Sequence, residues 1–176
     1  IDASVATAFA LAVTFPQAGN IGGGGFMVYM PVDADVTTID FREKAPISAT
    51  KDMFLDNNGN LVSGSNHNGL KSVGVPGTVA GMFLAHEKYG SLTWAEIIQP
   101  AIDLATNGVN LTPALHEHAV KFSTTSQTKF LKNLFTNASG KVLNTGELWK
   151  QSALASTLIA IRDNGKDGFY AGDVAQ

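Results

Sequence analysis

The stretch Asn20-Ile21-Gly22-Gly23-Gly24-Gly25-Phe26 leads into a two-strand segment that ends in Phe41-Arg42-Glu43-Lys44-Ala45-Pro46. Four successive glycines let a backbone approach a neighbour or a ligand more closely than any run that carries side chains. The strand after them carries the guanidinium of Arg42, and the natural partner of that group is an anion. These residues indicate a tight backbone passage next to a candidate anion-binding side chain.

The composition indicates a folded chain without an electrostatic footprint for nucleic acid or an anionic membrane. Of the 176 residues, 44% are hydrophobic and 15% are charged, which is too apolar for disorder and sufficient for one core. The net charge of −3 provides no basic surface. The absence of cysteine excludes disulfides, thiolate metal sites and a cysteine nucleophile, and it leaves the cellular compartment open.

The N-terminal pattern predicts a helix over residues 2–14, small and apolar all round, that Pro16 stops. The chain begins at Ile1, within this pattern and without the charged region of a signal peptide. We therefore expect a single incomplete domain over residues 1–176, truncated at both ends.

The segment after the glycines predicts a β-hairpin, with strands over 26–30 and 36–41. The first strand is apolar on both faces, which is typical of a sheet covered on both sides. The missing strands must come from outside this chain. We expect the uncovered apolar surface to cause self-association, or the sheet edge to pair with another chain.

Helix start and stop signals predict a mostly helical remainder. The Thr93-Trp94-Ala95-Glu96 stretch has the spacing of a capping box. The polar, glycine-rich residues 63–69 predict an exposed loop that contains His67. The predicted helices run from Thr78 to Tyr89, from the Thr93 cap to Gly108, onward from the Thr112-Pro113 start, and from Leu148 to Arg162 with an end at Asn164-Gly165.

Two patterns that often mark ligand sites favour structural roles here. The glycine run precedes a strand and lacks a following Lys-Ser/Thr pair, so we expect backbone packed against backbone instead of a phosphate loop. His116 and His118 lie about 200° apart on a helix and cannot bind one metal. We expect both on a solvated helix face, and His86 on the polar side of its own helix.

Arg42 has two interpretations from its surroundings. Its neighbours are apolar and its strand is predicted to be interior, so the guanidinium needs a partner. That partner is either Glu43 or Asp40 in a structural ion pair, or the carboxylate of a bound molecule.

Several blocks of sequence occur in the order of one enzyme family. They are Asp2-Ala3, Asn20 to Met27, Asp40 to Pro46, Asp52-Met53-Phe54, Val73 to Gly81, Gln99-Pro100-Ala101 and Asp167 to Gly172. With these blocks the chain resembles the large-subunit region of γ-glutamyltranspeptidases, which are N-terminal nucleophile hydrolases. The resemblance implies an α+β fold, the helix-rich large-subunit part of a four-layer α/β/β/α sandwich.

The resemblance also implies a function. In this family a precursor cleaves itself, and the new N-terminal threonine of the small subunit attacks the γ-glutamyl carbonyl of glutathione or a related amide. The acceptor is an amino acid, a peptide or water. Arg42 matches the arginine that holds the substrate α-carboxylate. No cofactor or metal is implied, and the expected location is periplasmic or extracellular.

The nucleophile of the family is missing from this sequence. Neither Thr37-Thr38-Ile39 nor Thr124-Thr125-Ser126 resembles the Thr-Thr-His cleavage block, so no catalytic residue is expected here and the chain alone should be inactive. The alternatives are a relative that processes poly-γ-glutamate, a β-lactam acylase of the same superfamily, or a non-catalytic carboxylate-binding module with this fold.

Overall fold

The computed structural model describes residues 1–125 and 133–176, which form helices and two small sheets. A short 3-10 helix covers Leu70–Ser72. The helices are α1 (Asp2–Thr14), α2 (Thr78–Tyr89), α3 (Trp94–Asn107), α4 (Pro113–Thr125), α5 (Ser152–Asn164) and α6 (Asp167–Tyr170). The strands are β1 (Phe26–Tyr29), β2 (Thr37–Asp40), β3 (Val109–Asn110) and β4 (Leu148–Trp149).

The chain divides into two compact units. One consists of Ile1–Asn20 with His86–Gln176, and the other of Ile21–Ala85. That they belong to one incomplete domain stays a prediction.

In the first unit, α3 packs between α1 and α5. Phe9 of α1 and Trp94 of α3 meet edge to face, with ring centroids 5.6 Å apart. The Trp94 indole N–H donates to the Ile161 carbonyl of α5 at 2.9 Å, so one side chain joins all three helices. The fully buried side chains of this core include Val5, Phe9, Ile97, Ile98, Leu158 and Ile161.

The helix boundaries follow the predicted caps at most positions. The capping box of α3 is complete, because the Thr93 hydroxyl accepts from the Glu96 N–H and the Glu96 carboxylate accepts from the Thr93 N–H. Gly108 ends α3 with φ of 94°, a conformation that side chains disfavour. The Thr112 hydroxyl accepts from the Leu115 N–H at the start of α4.

The predicted helix from Leu148 to Arg162 begins too early. Leu148 and Trp149 are strand β4, antiparallel to β3, and α5 starts at Ser152. Trp149 is buried against Phe135, and its indole N–H donates to the Leu134 carbonyl at 3.0 Å. These tertiary contacts hold residues 148–149 in an extended conformation and outweigh their local preference for helix.

In the second unit, β1 and β2 form the predicted antiparallel hairpin, with Met27 opposite Ile39. The expected cover on both faces of β1 is not provided by the described residues. Phe26 and Val28 are 64% and 70% exposed, and Met30 beyond the strand is exposed as well. That another chain or segment covers this surface stays a prediction.

The turn after α2 is attached to α1 by Asp2. Its carboxylate accepts from the Ser91 N–H at 3.0 Å and from the Leu92 N–H at 3.1 Å. These hydrogen bonds, that from Ser91 foremost, hold the pKa of Asp2 below its ordinary value of 3.8.

A carboxyl group whose pKa is lowered by folding adds stability that is present above its ordinary pKa and is lost as the pH falls through the folded value. We therefore expect Asp2→Asn to lower the urea midpoint at pH 7 and to lessen its decline below pH 4. The control Asp33→Asn removes an exposed carboxylate of the β1–β2 turn and leaves the Ser91 and Leu92 bonds in place. Equal acid sensitivity of Asp2→Asn and wild type would contradict the linkage.

Candidate functional site

The segment that carries Arg42 is fixed by backbone hydrogen bonds on both sides. The Phe41 N–H donates to the Gly25 carbonyl at 2.9 Å, and the Gly25 N–H donates back at 3.3 Å. Lys44 and Val75 exchange a second pair of bonds, of 3.1 and 2.7 Å. Arg42 and Glu43 therefore lie between two anchored residues, which limits how far their backbone can move.

Glycines surround Phe41 because side chains would not fit. A Cβ on Gly24 would stand 2.5 Å from the Phe41 carbonyl oxygen, and one on Gly25 would stand 3.1 Å from its ring. A Cβ on Gly77 would overlap the Phe41 carbonyl, and one on Gly81 would overlap the ring. The predicted close packing of backbone against backbone is confirmed. Gly81 of α2 and Gly77, just before α2, take part in it as well.

The glycine run also completes the start of α2. The Gly23 carbonyl accepts from the N–H groups of Gly77 and Thr78, at 2.8 and 3.0 Å. The first N–H groups of a helix have no partner within it and need one from outside. The run thus caps a helix with a carbonyl, whereas a phosphate loop presents N–H groups to its ligand.

Arg42 is exposed, and the prediction of an interior position is wrong for this chain. Strand β2 ends at Asp40, and Phe41 takes the packed position. The Asp40 carboxylate then accepts from the backbone N–H of Arg42 at 3.0 Å, and the Arg42 side chain is 62% exposed. Its guanidinium carbon lies 5.8 Å from the centre of the Phe26 ring.

The ion pair that one interpretation of Arg42 required is present. Nε donates to Oε2 of Glu43 at 3.1 Å. Residues 1–125 and 133–176 offer no hydrogen-bond partner to Nη1 or Nη2, so part of the fork remains open to a ligand. An exposed ion pair of this kind contributes about 0–1 kcal/mol to stability, so a ligand that replaces Glu43 as the partner of the guanidinium loses little free energy.

Two of the histidines contact backbone carbonyls of turns or loops. His86 Nε2 lies 2.8 Å from the Leu92 carbonyl oxygen, and its ring is 5.3 Å from that of Trp94. His116 Nδ1 lies 2.8 Å from the Leu143 carbonyl oxygen, and the imidazole is half-buried, so the predicted solvated face is wrong there. His118 is also half-buried, and His67 is exposed as predicted.

Within the described part of the chain, no group of three acidic, histidine or cysteine side chains is placed to hold a metal. None of the described helices combines the length and apolar character needed to cross a bilayer. Two threonine pairs were compared with the cleavage block of the family. Thr37 and Thr38 belong to strand β2, and Thr124 and Thr125 end helix α4. Ser126, which follows the second pair, lies outside the described residues.

The sequence does not predict a cavity of about 250 Å³ that lies beside the segment carrying Arg42. Lys44 and Lys71 both line it. Lys44 stands in the conspicuous Arg-Glu-Lys block, but nothing in the sequence indicates that the chain returns to place Lys71 in the lining of the same cavity.

Comparison with known proteins gives a consistent result. A family model described as gamma-glutamyltranspeptidase matches residues 1–176. The glutathione hydrolase proenzyme of a Pseudomonas species is 47% identical over 99% of this chain and 31% of its own length. The crystal structure of Helicobacter pylori gamma-glutamyltranspeptidase aligns with a TM-score of 0.93 at 43% identity, covering 99% of this chain and 50% of that one.

A more distant neighbour has the same fold. The Bacillus anthracis transpeptidase CapD aligns with a TM-score of 0.78 at 33% identity, covering 99% of this chain and 53% of that one. These likenesses confirm the predicted fold class and the sequence resemblance. The chain spans about a third of the length of the curated relative that it matches.

The packing around Phe41 predicts that Gly81→Ala destabilises the protein although alanine favours helices by about 1 kcal/mol. Overlap of the new methyl group with the Phe41 ring should cost ~1–3 kcal/mol in the free energy of unfolding, measured with urea. The control Gly59→Asn changes a glycine with open space around it and φ of 81°, which asparagine tolerates. A gain in stability for Gly81→Ala would contradict the packing argument.

Proposed function

The chain belongs to the γ-glutamyltranspeptidase family, and on that premise we propose that it is the large-subunit part of an enzyme that hydrolyses or transfers γ-glutamyl groups. The donors are glutathione and related amides. The observation that carries the proposal is the exposed Arg42 guanidinium on a backbone segment anchored at Phe41 and Lys44.

Arg42 is suited to the α-carboxylate of a γ-glutamyl donor. A planar guanidinium binds a carboxylate through two parallel N–H···O bonds, and its terminal nitrogens are open to such a ligand. Anchoring on both sides limits the movement of the Arg42 backbone, so a donor held by its carboxylate has its scissile amide placed relative to this segment. Glu43 keeps the guanidinium in place until the donor arrives.

The rest of the reaction depends on residues beyond this sequence. The nucleophile is a threonine released at the N-terminus of a small subunit by self-cleavage of the precursor, and its α-amine serves as the base. The threonine hydroxyl attacks the γ-glutamyl carbonyl, the C–N bond breaks and the amine side of the donor leaves with the hydroxyl proton. Water, an amino acid or a peptide then takes the γ-glutamyl group from the threonine ester. The small subunit is the partner of this chain, and a periplasmic or extracellular location suits these substrates.

The two other enzyme functions considered, poly-γ-glutamate processing and β-lactam acylation, have less support. Identity with the Bacillus anthracis transpeptidase CapD is 33%, compared with 47% and 43% for the glutathione hydrolase and the Helicobacter pylori enzyme. A non-catalytic module would lack a small subunit with a Thr-Thr-His cleavage block. Sequencing of the complete reading frame distinguishes that alternative.

Arg42 is tested by two donors, one with and one without the α-carboxylate. In the complete protein, wild type should lose most of its kcat/KM on the second donor, and Arg42→Ala should barely distinguish the two. Loss of a charge-assisted hydrogen bond is worth about 1.5–3 kcal/mol, and Arg42→Lys should mainly raise KM because it keeps the charge without the fork.

Arg162→Lys is the control for Arg42→Lys. Arg162 also pairs through Nε with the residue after it, Asp163, at 2.7 Å, its Nη1 donates to Gln99 at 2.8 Å, and it belongs to the other unit. Arg162→Lys should affect both donors equally. If Arg42→Ala discriminates between the donors as strongly as wild type does, Arg42 has a structural role only.

The missing nucleophile predicts that the 176-residue chain by itself releases no amine from a γ-glutamyl anilide. The acyl step has no threonine in a cleavage-block context to carry it. A colorimetric assay of the purified chain, with the self-cleaved complete protein as the positive control, checks this. Activity that a substitution within the chain abolishes would contradict the assignment.

A further inference from the structure

The cavity beside the Arg42 segment lies wholly within residues 21–85. Its volume of about 250 Å³ is slightly below the range of pockets that enclose a whole small molecule, so it suits one part of a ligand. Charged side chains and an apolar surface share its lining. The charged members are Glu43, Lys44 and Lys71, and the apolar ones include Pro46, Met53 and Phe54.

The charges of this cavity favour an anion. Lys44 and Lys71 outnumber Glu43, so the lining carries a net positive charge even with Glu43 included. Lys71 lies in the 3-10 helix, and its Nζ donates to the Met53 carbonyl at 3.3 Å, which holds the ammonium group near the cavity. An ammonium group has three donors, so Lys71 keeps hydrogen-bonding capacity for a ligand.

We propose that this cavity binds the leaving-group side of γ-glutamyl peptides, with Lys44 and Lys71 receiving the C-terminal carboxylate. The inference rests on the proposed function, because it takes Arg42 as the site of the α-carboxylate at the other end of the donor. The apolar lining accommodates the aliphatic or thiol side chain of the residue between the two ends.

The spacing of the groups fits a short peptide. Only Glu43 stands between Arg42 and Lys44 in the sequence, so their Cα atoms are at most about 7 Å apart, and the lysine side chain extends the reach. The two carboxylates of an extended γ-glutamyl tripeptide are on the order of 10 Å apart. One donor can therefore reach from Arg42 to Lys44, and Lys71 lines the same cavity as Lys44.

The experiment compares glutathione with its C-terminal amide as donors for the complete, self-cleaved protein. For each variant the ratio of the two kcat/KM values is measured on one preparation, so that differences in folding or in self-cleavage cancel. The variants are Lys44→Met, Lys71→Met and Lys71→Arg. Lys51→Met is the matched control, because Lys51 is an exposed lysine of the same unit that does not line the cavity.

Wild type should prefer the acid over the amide, and each methionine variant should reduce that preference by roughly 3–5-fold, the effect of losing one exposed ion pair of about 1 kcal/mol. Lys71→Arg should retain most of the preference, and Lys51→Met all of it. An unchanged preference in both Lys44→Met and Lys71→Met overturns the inference and leaves the proposed function standing. Wild type that hydrolyses neither donor nor a γ-glutamyl anilide overturns both.

Discussion

The contact between Phe41 and the glycines around it is the constraint on which this region depends. Gly24 and Gly77 meet its carbonyl, and Gly25 and Gly81 meet its ring. Any side chain at these positions would push the Arg42 segment away from α2 or from the glycine run that precedes β1. The close packing turns an otherwise irregular stretch of backbone into a rigid support for Arg42.

The same constraint explains why Arg42 is exposed. Phe41 occupies the packed position at the end of β2, and alternation along an extended chain then directs the next side chain outward. In this setting the pair with Glu43 adds little to stability, but it reduces the rotamer freedom that a ligand would otherwise have to remove. A site of this kind combines a fixed backbone with a side chain that a carboxylate can recruit at low cost.

The helical unit has a different basis. Its core is a conventional one in which Trp94 and Ile161 connect α1, α3 and α5, and its turns are held by side chains such as Asp2 and His86. The rings of His86 and His116 lie within hydrogen-bond distance of backbone carbonyls. The hairpin, by contrast, leaves Phe26, Val28 and Met30 exposed, and apolar surface of this kind often serves as an interface.

The sequence by itself determined the elements whose signals are local. The caps at Thr93 and Thr112, the stop at Gly108 and the hairpin strands depend on neighbouring residues and were predicted correctly. The family blocks likewise predicted the fold class. Tertiary structure decided what depends on contacts distant in the sequence: Trp149 packed on Phe135 makes an extended segment of a predicted helix, and the position of Phe41 exposes Arg42. That Lys44 and Lys71 line one cavity is of the same kind, because no local pattern encodes where a chain returns to itself.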